Sequence, residues 1–159
     1  MHLHLPRRVT GLALAAGFAA SIALTGAASA TTVGTTQGCT PGYWKNHTDS
    51  WQEYVPTQTV SSVYSGAAPY AGETLLVALN GGGGPGVNGA KTILLRAAVA
   101  ALLNSAYDPL LYPWQRSGSQ FRPALIATVD AALASGNRAT MLALATWLDT
   151  DNNLGCPLN

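Results

Sequence analysis

Of three histidines in the chain, two lie within the first four residues, and the third, His47, sits in a stretch dense in aromatics, Tyr43 to Tyr54. The residue types there admit three uses. An imidazole with a carboxylate to orient it, Asp49 or Glu53, is the minimum for proton transfer in a small extracellular hydrolase. Alternatively, Tyr43, Trp44, Trp51 and Tyr54 offer flat apolar rings on which sugars stack, with Lys45, Asn46, His47 and Asp49 at the edge to hydrogen-bond hydroxyls. The third use is structural: large rings pin an irregular segment to a small core that would otherwise lack filling, while Asn46 and His47 close a turn. No Gly-x-Ser-x-Gly elbow and no spaced carboxylate pair adds to the case for an enzyme, which makes a non-catalytic role the stronger expectation.

Three further constellations could bind something. Asp149, Asp151 and Asn153 place oxygen side chains at alternate positions, as in the opening of a calcium loop, and the two acids end a helix whose dipole they oppose. The sixth position is Leu154 and a twelfth falls beyond the chain, so a plain helix stop with Gly155 as a left-handed cap competes with calcium. Gly81, Gly83 and Gly86 have dinucleotide-loop spacing, and Gly84, Gly89, Lys91 and Thr92 approach a P-loop, but Ala90 intrudes before the lysine and no parallel sheet is in prospect. With His47 alone after a leader is removed, and both cysteines committed elsewhere, zinc has no ligand set, and no cofactor is expected.

The elements that must position these groups read as helices. Val60, Val63 and Tyr64 share a face of a short turn between Thr57 and Tyr64. Glu73 to Asn80 reads as a two-turn helix with Glu73 in its first turn and Asn80-Gly81 as its stop, a buried strand being the alternative. After the glycine-rich loop, Asn88 is a cap for the longest helix, Ala90 to about Tyr107, apolar almost all round and therefore central. Asp108 to Arg122 is a connector anchored by Tyr112 and Trp114. Pro123 opens a helix with the stripe Leu125, Val129, Ala132 and Leu133, and Asn137 caps a last helix with the stripe Met141, Leu144, Ala145 and Leu148, Trp147 flanking it. Arg96 and Asp130, lone charges on apolar helices, are expected to pair across an interface. The fold class is all-α, with a long aromatic-rich irregular N-terminal wrap.

Residues 1–30 read as a signal peptide: Arg7 and Arg8, an apolar stretch from Val9 to Leu24, then Ala28-Ser29-Ala30 as the cleavage site. Residues 31–38 read as a flexible lead-in and 39–159 as a single helical domain. Outside the cytoplasm, two cysteines, Cys39 and Cys156, point to one bridge tying head to tail, unpaired buried thiols being the alternative. After cleavage no transmembrane segment is expected, since the apolar run Ile93 to Leu103 is short and broken by Arg96. Of 159 residues only 9% are charged, and loss of the two leader arginines turns a net charge of +1 into −1, which excludes a nucleic-acid binder with a basic face.

The segment Cys39-Thr40-Pro41-Gly42-Tyr43-Trp44-Lys45-Asn46-His47 resembles the signature of a family of secreted, mostly bacterial, surface-associated domains. A looser likeness extends over Leu75 to Asn80, the long Leu- and Ala-rich helix and the Asn152-Asn153-Leu154-Gly155-Cys156-Pro157 ending. Many relatives have Pro after the histidine, where this chain has Thr48. The resemblance implies an exported or surface-associated protein and carries no established activity; a glycan or cell-wall polymer is the partner expected from the aromatic segment itself.

Overall fold

The computed structural model describes residues 36–117 and 124–158; the leader and Pro123 lie outside them. The described residues form five α-helices, α1 Pro41–Asn46, α2 Leu75–Leu79, α3 Gly86–Ala106, α4 Leu125–Ala134 and α5 Arg138–Asn152, with 3₁₀ turns between α1 and α2 and after α3. Among the described residues there is no β-strand, only two isolated bridges, Gly38 with Gly155 and Thr59 with Thr74. The all-α expectation holds, and Cys39 and Cys156 form a disulfide across a sequence separation of 117.

Helix α3 is the axis of the fold. Its central residues from Ala97 to Asn104 are all buried, and α5 packs along it as its chief neighbour. It is long and apolar enough to cross a bilayer, but most of that surface is already covered by the rest of the fold, as in the core helix of a globular domain. The stripes read from sequence on α4 (Leu125, Val129, Ala132, Leu133) and α5 (Met141, Leu144, Ala145, Leu148) are the buried faces, and Tyr112 and Trp114 anchor the connector. Trp147, half-exposed, packs edge-on against Trp114 with ring centroids 4.7 Å apart.

Helix starts follow local chemistry. Thr40 caps α1 by accepting from the Tyr43 N–H at 3.1 Å, with Pro41 as the first helical residue. Thr74 caps α2, which leaves Glu73 just outside rather than in the first turn. Asn137 caps α5 by accepting from the Thr140 N–H at 3.1 Å, as expected. Helix α3 departs from the reading: it begins at Gly86, so Asn88 lies inside its first turn and caps nothing. The cause is a close approach, since a Cβ on Gly89 would lie 2.0 Å from the Gly84 carbonyl oxygen. The glycine loop folds directly onto the first turn, which only a residue without a side chain permits. Arg138 Nη1 then bonds the Gly84 and Gly86 carbonyls and ties the start of α5 to the same loop.

Two expectations are corrected. Arg96 and Asp130 do not pair. Asp130 accepts from Ser65 Oγ at 2.8 Å and the Gly66 N–H at 2.9 Å, fastening the 3₁₀ segment Ser65–Tyr70 to α4, while Arg96 is exposed on α3. Nor does the lead-in run to Gly38. Gln37 donates to the Leu110 carbonyl, Gly38 pairs with Gly155, and a Cβ at 38 would lie 2.2 Å from the Asp151 carbonyl oxygen, so the fold takes in both residues.

Candidate functional site

The signature segment enters the domain at its centre. Cys39 donates its backbone N–H to Asn104 Oδ1 at 2.8 Å and accepts from Asn104 Nδ2 at 2.9 Å. Trp44, with no exposed surface, gives its indole N–H to the same Oδ1 at 3.0 Å. Asn104 Nδ2 also donates to Asn152 Oδ1, which accepts from Tyr112 Oη as well, and Asn152 Nδ2 bonds the Ala97 carbonyl. Two buried asparagines on α3 and α5 thus close a network in which every buried side-chain polar atom among the described residues has a partner. Nothing in the apolar pattern of α3 announced this role for Asn104. The signal was present nonetheless, as a polar residue directly after the wholly apolar run from Ala97 to Leu103.

This placement corrects the stacking platform. Trp44 is a core residue, and Tyr43 is 8% exposed, with its hydroxyl donating to the Leu158 carbonyl at 3.1 Å, so neither presents a face to a ligand. Trp51 and Tyr54 are half-buried; the Trp51 indole N–H bonds the Trp44 carbonyl at 2.9 Å, at the end of α1. Asn46 is exposed and donates to the Gly42 carbonyl, and Lys45 is half-buried in the last turn of α1.

The hydrolase pairing is not assembled either. His47 stacks on the Tyr43 ring, centroids 4.2 Å apart, and its Nδ1 lies 2.9 Å from the Tyr43 carbonyl oxygen. A carbonyl only accepts, so this bond places a proton on Nδ1 and leaves Nε2 as the lone-pair nitrogen of the neutral ring. Among the described residues no carboxylate lies within ion-pair distance of His47. Asp49 is exposed in a 3₁₀ turn, and Glu53 is held by both guanidinium nitrogens of Arg116, an arrangement that, with Tyr54 beside it, pushes the Arg116 guanidinium further above its ordinary range. Glu53 adopts a left-handed φ of 62°, which that fork-to-fork pair helps to hold.

Burial separates the three calcium candidates. Asp151 is turned into the fold and accepts from the Trp114 indole N–H at 2.8 Å, whereas Asp149 and Asn153 are exposed, with Asn153 Nδ2 bonded to the Asp149 carbonyl. Among the described residues no group of three or more His, Cys, Asp or Glu side chains is placed to hold a metal ion. What the signature does border is an open depression of about 450 Å³ beside the disulfide, where Thr40, Tyr43, His47, Asn153 and Cys156 meet.

No protein-family model matches the chain, and neither a characterised protein nor a solved structure is similar to it. A disulfide joining the two ends of the described domain is consistent with a location outside the reducing cytoplasm.

Proposed function

We propose that the protein is an exported, non-catalytic module of the cell surface or surrounding matrix, of the kind that carries the Cys-Thr-Pro-Gly-Tyr-Trp-Lys-Asn-His signature, and that it binds a glycan or cell-wall polymer. The observation that supports binding over hydrolysis is that neither carboxylate candidate orients the imidazole: His47 Nδ1 is on a backbone carbonyl, Glu53 is on Arg116, and Asp49 lies outside ion-pair distance of His47. The contact edge is what the core leaves uncovered, Trp51 and Tyr54 with His47 and Asn46 beside them. Because its N–H is already bonded within the fold, the Trp51 ring is held before a ligand arrives, which lowers the ordering cost of stacking.

The test is a screen of immobilised glycans and cell-wall polymers with residues 31–159 in oxidised form. Trp51→Ala should weaken the positive interaction roughly tenfold, as the loss of one stacked ring does, without unfolding the protein. Retained binding in Trp51→Ala, or no binding to any polymer, would refute the proposal.

A further inference from the structure

We infer that the cleft between α3, α5 and the glycine-rich loop is a binding site for a small zwitterion of the amino-acid or dipeptide class. The cleft has a volume of about 210 Å³ and shares no lining residue with the disulfide depression, Pro41 being its only share of the signature segment. Helix α3 contributes Ile93 and Arg96, one turn apart, and α5 contributes Leu142, Thr146 and Asp149, spaced so that they lie on one face. The result is an apolar floor with a guanidinium on one helix and a carboxylate on the other.

These two charges are the unusual feature. In a chain with few ionisable side chains, Arg96 and Asp149 line the same cleft, are both exposed, and have no ion-pair partner among the described residues, not even each other. Asp149 stands in the last turn of α5, where the helix dipole disfavours a negative charge, so a ligand cation there relieves an unfavourable interaction. A simple anion attracted by Arg96 meets Asp149, and a simple cation attracted by Asp149 meets Arg96. A ligand carrying both charges satisfies both ends, its carboxylate on the guanidinium and its ammonium on the Asp149 carboxylate. Thr146 already donates its hydroxyl hydrogen to the Leu142 carbonyl and so offers the ligand an acceptor. Sugars fit less well: no aromatic ring lines the cleft, and a neutral ligand would desolvate two charges without neutralising them. The volume lies below the roughly 300 Å³ at which sites for drug-sized ligands begin, which selects a small molecule.

The loop wall supplies a blocking variant. Gly82 lines the cleft and a Cβ there meets nothing within 4 Å, so a larger side chain can be placed at its rim without displacing the fold. The experiment is a calorimetric and NMR titration of oxidised residues 31–159 with L-leucine and L-alanyl-L-alanine, with L-leucinamide and N-acetyl-L-leucine each lacking one charge. Saturable binding of at least one zwitterion is expected, with its single-charge analogues weaker by roughly tenfold, as loss of a charge-assisted hydrogen bond implies. Arg96→Gln should abolish the preference for leucine over leucinamide, Asp149→Asn the preference over N-acetyl-leucine, and Gly82→Leu binding altogether, all three with unchanged melting. No saturable binding of either zwitterion, equal binding of charged and single-charge compounds, or an oligosaccharide displacing them from this cleft would overturn the inference.

Discussion

Asn104 is the residue on which the signature segment hangs, because its one side chain satisfies both backbone groups of Cys39 and the Trp44 indole. Asn104→Ala strands those groups and the Asn152 amide pair in a site that water does not reach. Each orphaned buried group costs about 1–3 kcal/mol, so denaturant unfolding should show a loss of at least about 3 kcal/mol. Trp44→Phe, which keeps one aromatic ring but forfeits the indole bond and leaves a small cavity, tests packing together with one bond, and should lose less than Asn104→Ala; an equal or larger loss would mean that packing and not the network holds the segment. Tyr64 gives the pH counterpart. It is fully buried, with its hydroxyl donating to the Ala98 carbonyl at 2.9 Å, and burial pushes its hydroxyl well above the ordinary value of 10.0. Below that ordinary value both folded and unfolded chains keep the proton and the full stability is present. As pH rises above it the unfolded chain ionises first, so stability falls with alkali. Tyr64→Phe should flatten that fall in stability curves taken from pH 8 to 11.

At the scale of elements, the glycine-rich loop and the 3₁₀ segment Ser65–Tyr70 make opposite demands. Gly89→Ala drives a methyl into the Gly84 carbonyl and must shift the start of α3, so it should destabilise by about 1–3 kcal/mol, whereas Gly82→Ala, in open space, should leave the melting temperature within a degree or two. Asp130→Ala removes the two bonds that fasten Ser65–Tyr70 to α4 and should cost about 1–2 kcal/mol, with amide exchange accelerated in that segment first. That contrast shows what the chain made readable. The stripes of α4 and α5, the cap Asn137 and the Asn80-Gly81 stop of α2 follow from periodicity and local side-chain chemistry, which short windows contain. The start of α3 depended on Gly84 meeting Gly89 across a turn, and the fate of Asp130 on a segment 65 positions earlier in the chain. Lone charges on apolar helices correctly signalled constraint on Asp130, but its partners were a hydroxyl and a backbone N–H, neither of which carries a charge to search for. Likewise Trp44 could be seen as either platform or core until the position of Asn104 was known.

For the molecule as a whole, the Cys39–Cys156 bond closes a loop of 117 positions around the α3 axis, and the loop-closure argument assigns it roughly 5 kcal/mol, an upper figure because the reduced chain retains some structure. Domains of this size have about 5–15 kcal/mol in total, so the bond accounts for a large share of what holds the fold. Its surroundings determine how much of that survives reduction. Cys39 is pinned on both sides of its Cα by Asn104, and the Gly38–Gly155 bridge holds the opposite strand of chain, so the two sulfurs remain neighbours in any state that keeps α3 against α5. Cys39→Ala with Cys156→Ala should therefore lower the melting temperature by about 20 °C while retaining helical circular dichroism at 10 °C. Adding Asn104→Ala to that pair should unfold the chain outright, because the covalent and polar closures act on the same two ends and neither remains to bring them together. If the triple variant melts no lower than the double one, the asparagine network contributes nothing once the disulfide is gone, and the ends of the chain are held by the apolar contacts of Trp44 and Leu110 instead.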